Sequence, residues 1–193
     1  MSLRTLTLCL ALMIAAPPDV SHWPRGTTIH VWIDSRDAPP YGVDLVRLAI
    51  KNWSDAADGR LTLQSVADPD GARIRVRFVG GDGIYGETRP RVDPQSGLIV
   101  AAQVLINRDP IEDGRLLRIV TYLTALHELG HALGLTHTDD FSTIMYRFRR
   151  RDDGQRYFDA YRRLLRSDAD VGSTSATGLA TADVNALRSL YER

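Results

Sequence analysis

The chain predicts an α+β domain, a mixed sheet packed on helices, and three observations carry that class. Two segments alternate with the period of a half-buried strand. Ile29, Val31 and Ile33 oppose Thr28, His30 and Trp32, and Ile74, Val76 and Phe78 oppose Arg73, Arg75 and Arg77. Two longer segments carry apolar residues at helical spacing, one from Asp44 to Ala57 and one starting near Asp113 or Gly114. Finally, strand and helix signals alternate early and helices follow, the order of a sheet with helices gathered on one side.

Each element has its own reason. Ser21 to Gly26 leads into the first strand, and Pro39-Pro40 breaks the chain after it. The first helix puts Leu45, Ala49 and Trp53 on one stripe, with Val46 and Ile50 beside it. Leu61 to Val66 is a short strand, and Arg73 to Val79 the next. The three outward arginines of that strand read as a solvated sheet face rather than a nucleic-acid stripe. Gly80 to Gly83 forms a turn, Ile84 to Thr88 a short edge strand, and Arg89 to Gly97 a loop with two prolines. Leu98 to Ile106 is a buried strand. The long helix that follows buries Leu116, Val120, Leu123 and Leu126. Tyr157 to Leu165 suits a short extra helix with Tyr157, Tyr161 and Leu165 on one side, and Ser173 to Thr177 a mobile return loop. A last helix from about Thr181 to Tyr191 buries Val184, Leu187 and Leu190.

At 193 residues the chain is one domain with room for a real core. Its formal net charge is zero, so the overall field predicts neither nucleic acid nor a membrane as partner. The first 16 residues read as a signal peptide: Arg4 supplies a positive start, and Leu6 to Ala16 is too short to span a bilayer. A buried N-terminal helix or an uncleaved anchor is the alternative. Cys9, the one cysteine, lies inside this stretch, so a mature chain would form no disulfide. The expected location is secreted, extracellular or in the cell envelope, and the expected state is a monomer without stable membrane insertion.

The chemistry is concentrated in His127-Glu128-Leu129-Gly130-His131-Ala132-Leu133-Gly134-Leu135-Thr136-His137. Histidines four apart share one helix face, so both imidazoles can reach one metal. Glu128 sits beside the first of them, placed to act as general base on a water. Gly134 allows the helix to stop and the chain to turn, which can return His137 as a third ligand. Three nitrogens and an open position describe a catalytic rather than a structural zinc site. The competing readings are a structural metal helix and a core helix that merely carries histidines.

The spacing resembles the metzincin clan of zinc peptidases, whose ligand run is followed by a methionine turn. Ser142-Thr143-Ile144-Met145-Tyr146 supplies that methionine eight residues after His137. Within the clan the chain is most similar to the matrixins, the matrix metalloproteinase catalytic domains, over residues 20 to 193. Three flanking segments carry the likeness: His22 to Gly26, Ala49 to Ser54, and Asp183 to Tyr191. The resemblance implies a zincin-like fold: a five-stranded twisted mixed sheet with one antiparallel edge strand, three main helices, and an active-site cleft below the edge strand. It also implies a zinc-dependent endopeptidase with His127, His131 and His137 on Zn2+ and Glu128 as base. Met145 would form an apolar floor, and Tyr146 and Arg147 would line the pocket for the residue after the cut. Protein or peptide would bind along the edge strand near Ile84 to Arg89.

The chain departs from that pattern in places. Only His22 and His30 remain for a second, structural zinc, so that site is expected to be absent. Arg147 stands where proline is usual, and Ala182 replaces one of two aspartates opening the last helix. The stretch from Arg147 to Ala180 is longer than usual. Gly80 to Gly86, with Asp82, offers oxygens for Ca2+, though a plain turn explains it equally. A zinc-dependent hydrolase of a non-protein amide and a zinc-containing binding module remain the alternative functions. Nucleic-acid binding by Arg147, Arg149, Arg150 and Arg151 is disfavoured by the acids among them and the sparse aromatics.

Overall fold

The computed structural model describes residues 21–81 and 84–192. The signal-peptide reading of residues 1–16, and the core of the calcium reading at Asp82 and Gly83, lie outside the described residues. Among the described residues, no helix is long and apolar enough to cross a membrane.

Five strands form one sheet: β1 (Thr28–Ile33), β2 (Thr62–Val66), β3 (Ile74–Val79), β4 (Gly86–Val92) and β5 (Ile99–Asn107). Their order across the sheet is β2-β1-β3-β5-β4, with β4 the antiparallel edge strand and the other pairings parallel. Four helices complete the domain: α1 (Gly42–Ala57), α2 (Gly114–Ala132), α3 (Asp153–Arg162) and α4 (Thr181–Leu190). Three of these are the main helices that the sequence predicts. The fourth, α3, is the short extra helix, which begins and ends a few residues earlier than its periodicity suggests.

The alternation in β1 and β3 holds: Ile29, Val31, Ile74, Val76 and Phe78 are buried, and their neighbours in sequence face out. Helix α1 lays Leu45, Ala49, Ile50 and Trp53 against the sheet and α2. Trp53 is fully buried, and truncating a tryptophan in such a place costs about 3–5 kcal/mol.

Three sequence expectations need correction. The expected loop at Arg89 is strand as far as Val92. Proline at position 90 does not prevent this, because alternate N–H groups of an edge strand have no ladder partner. The return loop at Ser173 to Thr177 is anchored rather than mobile. Tyr161 donates its hydroxyl to the Ala176 carbonyl, and Tyr122 donates to Thr177. Small polar residues fit that loop because two buried tyrosines occupy the space around it. In α4, Leu187 is buried while Val184 and Leu190 are only partly so. The other deeply buried side chains there are Asp183 and Tyr191.

The packing holds α2 by its backbone. Asp113 caps its start by accepting N–H bonds from Arg115 and Leu116 at 2.9 and 3.0 Å. Trp53 donates its indole N–H to the Leu126 carbonyl at 2.7 Å. At the far end, Trp23 donates to Ala132 at 2.8 Å and the Tyr191 hydroxyl to Leu133 at 2.7 Å. These bonds satisfy carbonyls that a helix terminus leaves open.

Candidate active site

Two histidines come from α2 itself, one turn apart, and the third from the turn after it. Gly134 makes that turn at φ +96, a conformation side chains rarely adopt, and a Cβ there would lie 2.3 Å from the Ser21 carbonyl oxygen. The chain then returns through His137 and closes on itself. Thr138 donates its N–H to Met145 at 2.8 Å, and Arg147 donates to Thr138 at 2.9 Å.

The imidazoles are oriented by backbone. His127 Nδ1 lies 2.6 Å from the Ile144 carbonyl, and His131 Nδ1 lies 2.8 Å from Leu135. A carbonyl only accepts, so both Nδ1 atoms carry the proton and both Nε2 atoms present lone pairs. His137 Nε2 sits 3.2 Å from each of those Nε2 atoms. Neutral rings in this arrangement bring lone pairs together rather than form hydrogen bonds, which favours a cation between them. Donors about 2.0–2.1 Å from a tetrahedral zinc would lie about 3.3–3.4 Å apart, so the donor set fits that ion. Burial favours the neutral ligand form, holding His127 down to about 4 and keeping His131 and His137 below the ordinary imidazole range. These three are the residues among those described that gather to hold a metal.

Glu128 points from the same helix toward β4. Burial raises its carboxyl to about 7, a Thr88 hydrogen bond opposes the rise, and the nearby Glu87 charge adds to it. Thr88 Oγ1 lies 2.7 Å from Glu128 Oε2 and 2.8 Å from the Glu128 carbonyl oxygen. The edge strand can come this close because Gly86 has no side chain: a Cβ there would meet Glu128 Cγ and Thr124 Cγ2 at 2.7 Å.

The methionine turn supports this group from below. Met145 is buried with its sulfur against Gly130, in the turn between His127 and His131. Asp183 accepts N–H bonds from Ile144 at 3.0 Å and Ala180 at 2.8 Å, tying the turn to the start of α4. Burial raises the Asp183 carboxyl, and those backbone N–H groups oppose the rise.

A cleft of about 490 Å³ opens beside the histidines and Glu128. Its depth is apolar, from Leu123, Ile144, Tyr157 and Phe158, while Tyr85, Tyr146 and Phe148 add aromatic walls. Arg147 stands exposed at its rim. Tyr85 meets Phe158 edge to face at 5.0 Å between ring centres. Asp153 organises the wall: its Oδ2 accepts from the Tyr146 hydroxyl and from the N–H groups of Arg149 and Arg150. The Arg150 and Arg149 N–H bonds hold its carboxyl below the usual range.

The sequence model of the family described as matrixin matches residues 34–161, from the end of β1 through the histidine run, the methionine turn and most of α3. The chain belongs to the matrixin family. The sheet and helices described above agree with the fold its motif implies. Interstitial collagenase A of Mus musculus is 29% identical over 145 residues. The match takes in 68% of this chain and 30% of that protein, so the chain spans less than a third of the relative's length.

All seven sequence-predicted site residues face or underlie this one cleft. Sequence reasoning missed Thr88, Tyr85, Phe158 and Asp153. Thr88 alone had a weak signal, since Gly86 and Thr88 share a strand face by period two. Phe158 and Asp153 had none, because only the folded insertion brings them to the wall.

Proposed function

We propose that residues 20–193 form a zinc endopeptidase domain that cleaves protein or peptide chains laid along β4. The observation that carries this reading is three neutral imidazoles converging beside a carboxylate at the floor of an open cleft. His127, His131 and His137 would hold the ion. When bound, zinc supplies a Lewis acid that polarises the scissile carbonyl and makes water a better nucleophile near neutral pH.

The remaining chemistry belongs to side chains. Glu128 Oε1 has no hydrogen-bond partner among the described residues, so it is the oxygen left to take the proton of the attacking water. It later returns that proton to the leaving amine. Thr88 suits both states. Its single proton goes to Oε2 while the carboxylate is charged; once Glu128 is protonated, the hydroxyl can turn to the Glu128 carbonyl and keep a lone pair toward the carboxyl. β4 is the sheet edge, so its outward backbone groups can pair with an extended substrate. The aromatic hollow receives the side chain after the cut, with Tyr146 and Arg147 along the wall, while Met145 lies beneath the histidines as their apolar floor.

Incubation with a peptide library, with and without a chelator, tests this reading. Chelator-sensitive cuts before large apolar residues are expected, with acidic residues favoured further on by Arg147. No cleavage of any peptide by zinc-loaded protein would leave the binding-module alternative. Secretion fits a peptidase of this kind and is part of the proposal.

A further inference from the structure

The sheet has a second functional-looking face, turned away from the helices. The chain's formal net charge is zero, yet Arg36, Arg73, Arg75, Arg77, Arg89 and Arg91 line one concavity of about 710 Å³ on that face. Asp34 is the acid lining it, and Glu87 lies at its margin, bound to Arg89.

Strand register arranges these arginines as two walls. Arg75 pairs across to Gln103, and Gln103 to Arg89. Arg91 pairs with Ala101, which lies opposite Arg73 when the β3–β5 register is extended by one residue. Each row therefore reads arginine, small or neutral residue, arginine. The walls stand two strand spacings apart, about 9.5 Å, and successive arginines along a wall are about 7 Å apart. The floor is Ala101, Ala102 and Gln103 along β5. Among the described residues, Arg73 and Arg91 have no ion-pair partner, whereas Arg36 is held by Asp34 and Arg89 by Glu87.

We propose that this trough binds a single chain of a sulfated polysaccharide, laid along β5 between the arginine walls. Its chemistry matches point by point. Guanidinium forks suit sulfate and carboxylate oxygens, and a trough with charge on both sides suits a string charged along its length. The Gln103 amide offers both a donor and an acceptor to ring hydroxyls. A single-stranded nucleic acid fits less well, because it gains by stacking bases on aromatic platforms. The β5 floor has none; the one aromatic lining the concavity, Trp32, sits on β1 behind the Arg75 wall and is half-buried, which leaves a lone ring and no row of platforms. On β4, Arg89 and Arg91 face the trough while Gly86 and Thr88 face α2, so a bound polymer would leave the cleft open. The surface thus acts as an anchor and does not depend on the peptidase reading.

Binding of the full chain to a heparin octasaccharide, measured by titration calorimetry across a salt series, tests the assignment. An oligothymidylate and a polyglutamate of similar charge are the comparators. Arg73→Ser with Arg91→Ser breaks no ion pair, so fold and peptide cleavage should persist. The double variant should bind heparin about tenfold more weakly, with a shallower salt dependence. Arg150→Ser with Arg151→Ser removes equal charge from the far side and should leave the affinity within about twofold. Equal loss in both double variants, no loss in the first, or no heparin binding at all would overturn the proposal. So would oligothymidylate or polyglutamate bound as tightly as heparin.

Discussion

Helix α2 and the segment from Tyr146 to Arg162 are opposite sides of one cleft, and they are held in different ways. Helix α2 is fixed along its length: capped by Asp113, gripped by the indoles of Trp53 and Trp23, and closed by Tyr191. Its histidines point where the helix points them, with backbone carbonyls setting the rings. The facing wall is anchored at its far end, where Tyr157 donates to the Thr143 carbonyl and Tyr161 to Ala176. Its rim beside the cleft is held by side chains of the segment itself and of Tyr85. That rim relies on edge-to-face aromatic contacts and on one buried carboxylate, Asp153, gathering two N–H groups and a hydroxyl. The proposed chemistry therefore sits on the rigid side and the shape of the cleft on the adaptable side. Mutations on the two sides should separate into losses of turnover and losses of substrate fit.

The largest effect should come from the rigid side. His131→Ala removes one of three donors and is expected to abolish cleavage together with stoichiometric zinc retention, read by metal analysis after dialysis. Full zinc occupancy in that variant would mean the ion sits elsewhere.

Thr88→Val should lower kcat by about ten- to a hundredfold with KM little changed, because it removes the hydroxyl that steadies Glu128 in both protonation states. Thr88→Ser should restore most of the rate. Equal loss in both variants would reduce Thr88 to a packing residue.

On the adaptable side, Asp153→Asn should raise KM about tenfold for peptides with a large apolar residue after the cut and leave kcat nearly unchanged. A fall in kcat with constant KM would show that the wall takes part in the chemistry.

The smallest effect is a slope. In the metal-free protein the folded pKa values of all three histidines are depressed, so unfolding takes up protons as pH falls from about 6.5 toward 4. Stability is then lost toward acid. Glu128 acts oppositely: its folded value is raised to about 7, so it contributes stability below its unfolded value that is lost as pH rises toward 7. Three groups outweigh one, and metal-free protein should melt at lower temperature at pH 5 than at pH 7. A rise in melting temperature toward acid would contradict the neutral-imidazole arrangement.

The same contrast explains what the sequence reveals. Strands and helices with a clear period, such as Ile74 to Phe78 and Leu45 to Trp53, are legible because burial imposes period on sequence. The histidine run is legible because helix geometry converts a spacing of four into one face. Thr88 is not, since its role depends on how closely β4 approaches α2 through Gly86, a distance no local pattern encodes. The wall is not either: Tyr85 and Phe158 lie far apart in the chain and meet only through the fold of the insertion. Pro90 misleads in the other direction, because its usual punctuation is tolerated on an unpaired edge.

The central claim is that Glu128 works on a metal site built by its neighbours without being one of the ligands. Glu128→Gln keeps the size of the side chain and removes the base. Zinc content and peptide cleavage, measured on the same preparation of this variant, test the claim most directly. One zinc per chain with cleavage reduced by at least about a hundredfold is the expected result. Cleavage near the wild-type rate, or loss of the zinc along with activity, would contradict it.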